Sequence, residues 1–237
     1  MTFDKGYWEN QLKHSDWYVR LKKELEEVVL PVAGRNHDVS NYCNDVYEVI
    51  KEMLEKNQIP LANTGPNLDI DRKLPDTIVV HHTETKADIK PNKLSAIGFV
   101  RQYAKRYLQN DILGHRLVGQ PIWSGHFRGG RMVFFAYHWL VKPDGEAERL
   151  LEDKYLGFHS GSDKINNESI AIAFSGDLAN KTPSEKQITQ AAKIIKEHYP
   201  YIDKNKIFGH LEVNPKKNCP GKPFLKAWKN TLITLAS

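Results

Sequence analysis

Short apolar runs alternate with stretches of helical period over the later part of this chain, and that alternation constrains the fold more than any other feature. The runs are Thr77–His82 (TIVVHH), Met132–Val141 (MVFFAYHWLV) and Ser169–Phe174 (SIAIAF). Their length and β-branched or aromatic content predict strands. Residues 92–109 instead carry Leu94, Ile97, Val100, Ala104 and Tyr107 at helical spacing, and Ile188, Ala191, Ile195 and Tyr199 repeat the pattern. Strands alternating with helices predict an α/β domain. SIAIAF is apolar on both faces, as a central strand must be. Pro143-Asp144-Gly145 predicts a turn, with Ala147 to Glu152 as hairpin partner. Thr182-Pro183-Ser184-Glu185 has the form of a capping box with proline at the first helical position. Lys206 to Phe208 reads as a last short strand that delivers His210.

The first stretch, residues 1–70, reads as a helical extension. Ser15 is expected to cap a helix through Val29, with Trp17, Leu21, Leu25 and Val28 on one stripe and Pro31 as the stop. Ser40 is expected to cap a second helix through Lys56, with Val46, Ile50, Met53 and Leu54 inward. Pro60, Gly65 and Pro66 punctuate a linker-like stretch, so the boundary is expected within 60–75 and the α/β domain over 71–237. Residues 110–131 are Gly-rich, basic and aromatic without clear period, and read as loop.

Composition narrows the function classes. The 237 residues are 40% hydrophobic and 27% charged, which is ordinary for a globular protein. No apolar run reaches the roughly 18–20 residues that span a bilayer, and the N-terminus lacks the apolar core of a secretory signal. The expectation is a protein that stays in the cytoplasm or leaves by a lysis-type route. Cys43 and Cys219 are the only cysteines, so no disulfide framework is expected. The net charge of +5 fits either an anionic partner or simply a soluble basic surface. No basic helix with regular spacing and no RNP-type aromatic strand marks a nucleic-acid module.

One cluster carries chemistry. Gly209 to Gly221 sets His210 and Cys219 close together in a turn-rich loop, and His81-His82 ends the first strand far upstream. Two histidines and one cysteine make three protein ligands, the number used by catalytic zinc sites that keep a fourth position open. Side chains alternate along a strand, so only one of His81 and His82 can join a given site. The same alternation separates Tyr137 from His138.

These residues also carry a resemblance. Strand-His-His-Thr at 80–83, Tyr-His followed by Lys-x-Asp-Gly at 137–145, Gly-x-His-x-Gly at 157–161, and Gly-His-x-x-Val leading to Lys-x-Cys-Pro at 209–220 occur in this order. Together they resemble the zinc-dependent N-acetylmuramoyl-L-alanine amidases, the type-2 amidase and peptidoglycan-recognition family, over roughly residues 76–234. The resemblance implies a mixed central β-sheet flanked by helices. It implies Zn2+ held by His81, His210 and Cys219, with Tyr137 and Lys217 catalytic and His159 lining the substrate groove. The substrate implied is peptidoglycan or its muropeptides, cut between the muramic acid lactyl group and L-alanine. The chain departs from the pattern in three places. His210 and Cys219 lie one residue further apart than in phage members, so Lys216 is an alternative to Lys217. Residues 110–135, with His115, Trp123, His126 and Arg131, are largely an insertion. The N-terminal helices have no counterpart.

No His-Glu-x-x-His motif occurs, so the usual metalloprotease base is missing, and Glu84 and Glu212 are the acids nearest the ligands in sequence. Three alternatives stand beside hydrolysis at zinc. One is a module that binds muropeptide without cleaving it, although such relatives typically lack the cysteine ligand. Another is a structural zinc domain, which would close with four ligands. The third is a Cys-His nucleophilic hydrolase, which would survive chelation.

Overall fold

The computed structural model describes residues 2–31 and 36–237. The chain forms two compact units, one of residues 1–68 and 91–134 and the other of 69–90 and 135–237.

The first unit is mainly helical. Helix Lys5–Leu12 is capped by Asp4, whose side chain accepts the Tyr7 N–H. Only Trp8 and Leu12 are buried along it, a pair too sparse to show as a stripe in sequence. The stretch expected to be one helix from Ser15 is broken into Trp17–Arg20, Lys22–Glu24 and a wide-turn segment Leu25–Val29. Its stripe is nonetheless inward, with Trp17, Leu21, Leu25 and Val28 all buried. Trp17 lies 5.3 Å from Phe99, and the Tyr18 hydroxyl bonds the carbonyl of Gln120. Helix His37–Glu55 starts earlier than expected because Asn36, not Ser40, accepts the Val39 N–H. Residues 91–109 run as helix Pro91–Gly98, a wide-turn segment Phe99–Ala104 and helix Lys105–Gln109, ending on left-handed Asn110. A small hairpin pairs β2 (Phe127–Arg128) with β3 (Arg131–Met132).

The second unit is built on a five-stranded mixed sheet in the order β5-β4-β6-β1-β7. Its strands are β1 (Thr77–His82), β4 (Trp139–Val141), β5 (Ala147–Arg149), β6 (Ser169–Phe174) and β7 (Ile207–Gly209). β1 lies parallel to both β6 and β7, β4 is parallel to β6, and only β5 is antiparallel. β6 is central and buried throughout, as its two-faced apolar sequence requires. One face of the sheet presents Ile78, Val80, Ile170, Ile172 and Phe174 to Ile188, Ala191, Ile195, Phe224, Trp228 and Leu232. These residues come from helices Glu185–His198 and Lys229–Ala236 and the segment between β7 and the C-terminus. Each fully buried side chain of this size contributes about 1.5–3 kcal/mol. The capping box of Glu185–His198 is Ser184 with Gln187, two residues beyond Thr182. The alternation of β1 then turns Val79 and His81 to the opposite face. That polar face carries the site.

The expected strand Met132–Val141 is ordered as strand only at its ends. Its middle donors leave the ladder: Val133 N–H bonds the His126 carbonyl and Phe134 N–H bonds Ser95 Oγ.

Candidate metal centre

β1 ends at His81 and His82, and their rings diverge. His82 Nδ1 accepts the Leu178 N–H at 2.8 Å, which holds its ring away from His81. β7 ends at Gly209, and His210 opens the short helix His210–Val213. Glycine is required there, since a Cβ at 209 would stand 2.7 Å from Phe224 and 2.9 Å from Pro220. Glu212 closes the turn by accepting the Gly209 N–H at 2.8 Å and pairing with Lys229. It is thereby a cap for the helix bearing His210. Cys219 reaches back to β1, where its Sγ accepts the His82 N–H at 3.3 Å.

His81, His210 and Cys219 are all buried, and each offers one ligand atom within 4.8 Å of the others. Cys219 Sγ lies 3.6 Å from His81 Nδ1. Zinc bonds of about 2.05 Å to nitrogen and 2.3 Å to sulfur, at a tetrahedral angle, set those atoms about 3.6 Å apart. His210 Nε2 lies 3.2 Å from the Ser160 carbonyl. A carbonyl only accepts, so Nε2 carries the proton and Nδ1 keeps its lone pair. The donors are thus of the number and kind that zinc takes, and the His81–Cys219 pair is at the spacing zinc sets.

The electrostatics agree. Burial, followed by the charges of His210, His159 and His82, holds His81 well below its ordinary pKa. Burial pushes His210 down to about 4, against the Ser160 carbonyl. Both imidazoles are therefore neutral near pH 7, the form that ligates. Burial pushes the Cys219 thiol up to about 12, opposed by the His82 N–H. That thiol ionises near neutrality only beside a cation or metal.

The other candidate residues fall as follows. Tyr137 stacks obliquely on His81, ring centroids 5.1 Å apart. His138 points elsewhere: its Nδ1 accepts the Ala171 N–H and its Nε2 bonds the Tyr155 carbonyl. The charge of Lys217 is felt at both His210 and Cys219. His159 is 5% exposed and its Nδ1 lies 3.0 Å from His81 Nε2. Glu84 Oε1 stands 3.5 Å from His82 Nε2, on an exposed side chain.

Sequence reading missed three supporting residues. Arg72 donates to the carbonyls of Asp153, Asn166 and Ser169. The Asn166 side-chain oxygen accepts the N–H groups of His159 and Ser160 and the Ser160 hydroxyl. Ser169 Oγ bonds His159 Nε2. Arg72 and Asn166 belong to no periodic pattern or motif, and Ser169 falls in the SIAIAF run, which signals only a strand.

A mixed α/β sheet with a buried three-donor cluster at the ends of two parallel strands defines the class of fold and site. Residues 71–222 match the family model described as N-acetylmuramoyl-L-alanine amidase, and the chain belongs to that family. It is a hydrolase of cell-wall degradation, acting as an amidase on peptidoglycan. No curated protein matches the sequence. Among solved structures, the Ph2119 endolysin of the Thermus scotoductus bacteriophage Ph2119 is 19% identical over 70% of this chain and 86% of its own, TM-score 0.45. The N-acetylmuramoyl-L-alanine amidase LysC from Clostridium intestinale is 19% identical over 71% and 91%, TM-score 0.47. The Drosophila peptidoglycan recognition protein SD is 16% identical over 74% and 92%, TM-score 0.47. Among the described residues, no helix is long and apolar enough to cross a membrane.

Proposed function

We propose that the chain hydrolyses, with zinc, the amide between N-acetylmuramic acid and L-alanine in peptidoglycan or soluble muropeptides. His81, His210 and Cys219 are the metal ligands. The observation that carries this is the approach of their three donor atoms to within 4.8 Å from segments far apart in sequence. Zinc at such a site supplies Lewis acidity that polarises a carbonyl and acidifies water to a pKa of about 7.

The chain's own residues do the rest. His81 and His210 stay neutral and present lone pairs, and Cys219 contributes the one anionic donor. The Tyr137 hydroxyl and the Lys217 ammonium serve the oxyanion that forms when the amide carbon is attacked. A preorganised donor of this kind is typically worth about 3–4 kcal/mol. Burial of all three ligands dries their inner side and strengthens these interactions. All of these residues lie within the second unit. This supports the second unit, residues 69–90 and 135–237, as the catalytic part, and 91–134 group with 1–68 instead of with the expected domain over 71–237. Release of L-alanyl peptides from peptidoglycan, abolished by a chelator and restored by zinc, tests the reading. Hydrolysis that persists at zero metal would refute it.

A further inference from the structure

We propose that His159 is a positioning residue, which accepts the Nε2 proton of His81 and thereby aims the His81 Nδ1 lone pair at the metal position. The proposal rests on the zinc reading above, and it replaces the groove-lining role that the resemblance implies.

The direction of each hydrogen bond follows from the end of a chain. The Ile165 carbonyl can only accept, so the Ser169 hydroxyl at 2.5 Å donates to it. With its proton committed, Ser169 Oγ accepts from His159 Nε2 at 3.0 Å. A neutral imidazole has one N–H, so His159 Nδ1 is an acceptor. His81 Nε2, 3.0 Å away, must then donate to it. The remaining nitrogen of His81 is Nδ1, which faces Cys219 Sγ at 3.6 Å. His159 is neutral for the same reasons as its neighbours, burial first and then the charges of His138, His210 and Arg72. Both of its ring nitrogens are engaged, which leaves none for a substrate.

The same loop serves the second ligand. Ser160, next in sequence, offers its carbonyl to His210 Nε2 and to the Asn214 amide. Asn166 fixes this pair of residues through three hydrogen bonds to one oxygen. Gly157 lets the loop lie against the Ala136 carbonyl, where a Cβ would stand 2.4 Å away. One pinned loop therefore sets the tautomer of both histidines. Partners of this kind typically change metal affinity 10–100-fold when lost.

Three full-length variants test the role by zinc affinity, measured in competition with a chromogenic chelator, alongside melting of the metal-free proteins. His159→Phe keeps a ring and removes both nitrogens. His159→Asn keeps an acceptor where Nδ1 stood. Ser169→Ala frees His159 to take the other tautomer. The expected result is zinc affinity about 10–100-fold weaker in His159→Phe, largely recovered in His159→Asn, and weakened in Ser169→Ala. Wild-type affinity in His159→Phe would overturn the proposal, and so would His159→Asn as weak as His159→Phe, which would mean packing alone. If His159→Phe does not fold, undiminished affinity in Ser169→Ala overturns it. A wild-type protein that binds no zinc is a separate failure, that of the metal reading itself.

Discussion

Replacing Arg72 by methionine should destabilise the protein and loosen the candidate site together. The part-buried guanidinium donates to three carbonyls, those of Asp153, Asn166 and Ser169. Burial pushes its pKa from 12.5 to about 10, against the charges of Asp153 and Asp69. That displacement corresponds to a cost of about 3 kcal/mol for keeping the charge. Hydrogen bonds from a charged donor contribute roughly 1.5–3 kcal/mol each, so three outweigh this cost by about 1.5–6 kcal/mol. Methionine recovers the burial cost, keeps much of the volume, and strands three acceptors. At about 2–4 °C per kcal/mol for a chain of this size, the melting temperature should fall by roughly 3–24 °C. Lysine should not rescue it, because one ammonium cannot match a planar fork aimed at three carbonyls. Two of the three acceptors belong to Asn166 and Ser169, which hold His159, so zinc affinity should weaken as well. Thermal unfolding of the metal-free protein, followed by chelator competition, reads both effects. An Arg72→Met protein that melts with the wild type would refute the reasoning.

Three further outcomes are expected. Lys217→Ala should lower kcat about 100-fold or more with zinc retained, as loss of an oxyanion contact does, while Lys216→Ala should not; the reverse order would move the role to Lys216. Metal-free protein should lose stability as pH falls from 6.5 to 4, because the unfolded His210 binds its proton first; its pKa of about 4 in the fold makes the loss about 3 kcal/mol, with His81 and His159 adding in the same direction, and a flat urea midpoint over that window would contradict it. A chain beginning at Asp71 should aggregate, because residues 91–134 would lose Trp17 and Tyr18 from their shared unit; a monodisperse, cooperatively melting product on gel filtration would show residues 1–70 to be dispensable.

Much of the second unit is legible in the sequence because its signals are local. TIVVHH and SIAIAF form neighbouring parallel strands, and the strict alternation of side chains along a strand is enough to separate His81 from His82. The tight spacing of His210 and Cys219 in sequence marks the other two members of the candidate donor cluster, which the fold brings beside His81. Local signals fail where tertiary partners decide. MVFFAYHWLV has strand composition throughout, yet Phe134 N–H is taken by a serine side chain and the ladder stops. Helix starts shift from Ser40 to Asn36 and from Thr182 to Ser184, since several residues nearby are competent caps and the sequence does not rank them. The polar scaffold behind the candidate ligands leaves no trace in the sequence pattern. Arg72, Asn166 and Ser169 act through backbone carbonyls and single side-chain atoms of distant segments, which no spacing rule encodes.

The most direct measurement is zinc per chain in the purified wild type and in Cys219→Ala, read with hydrolysis of a muropeptide in the same samples. One zinc per chain with turnover in the wild type, and loss of both in the variant, is the expected result. Full zinc occupancy and normal turnover in Cys219→Ala would contradict it.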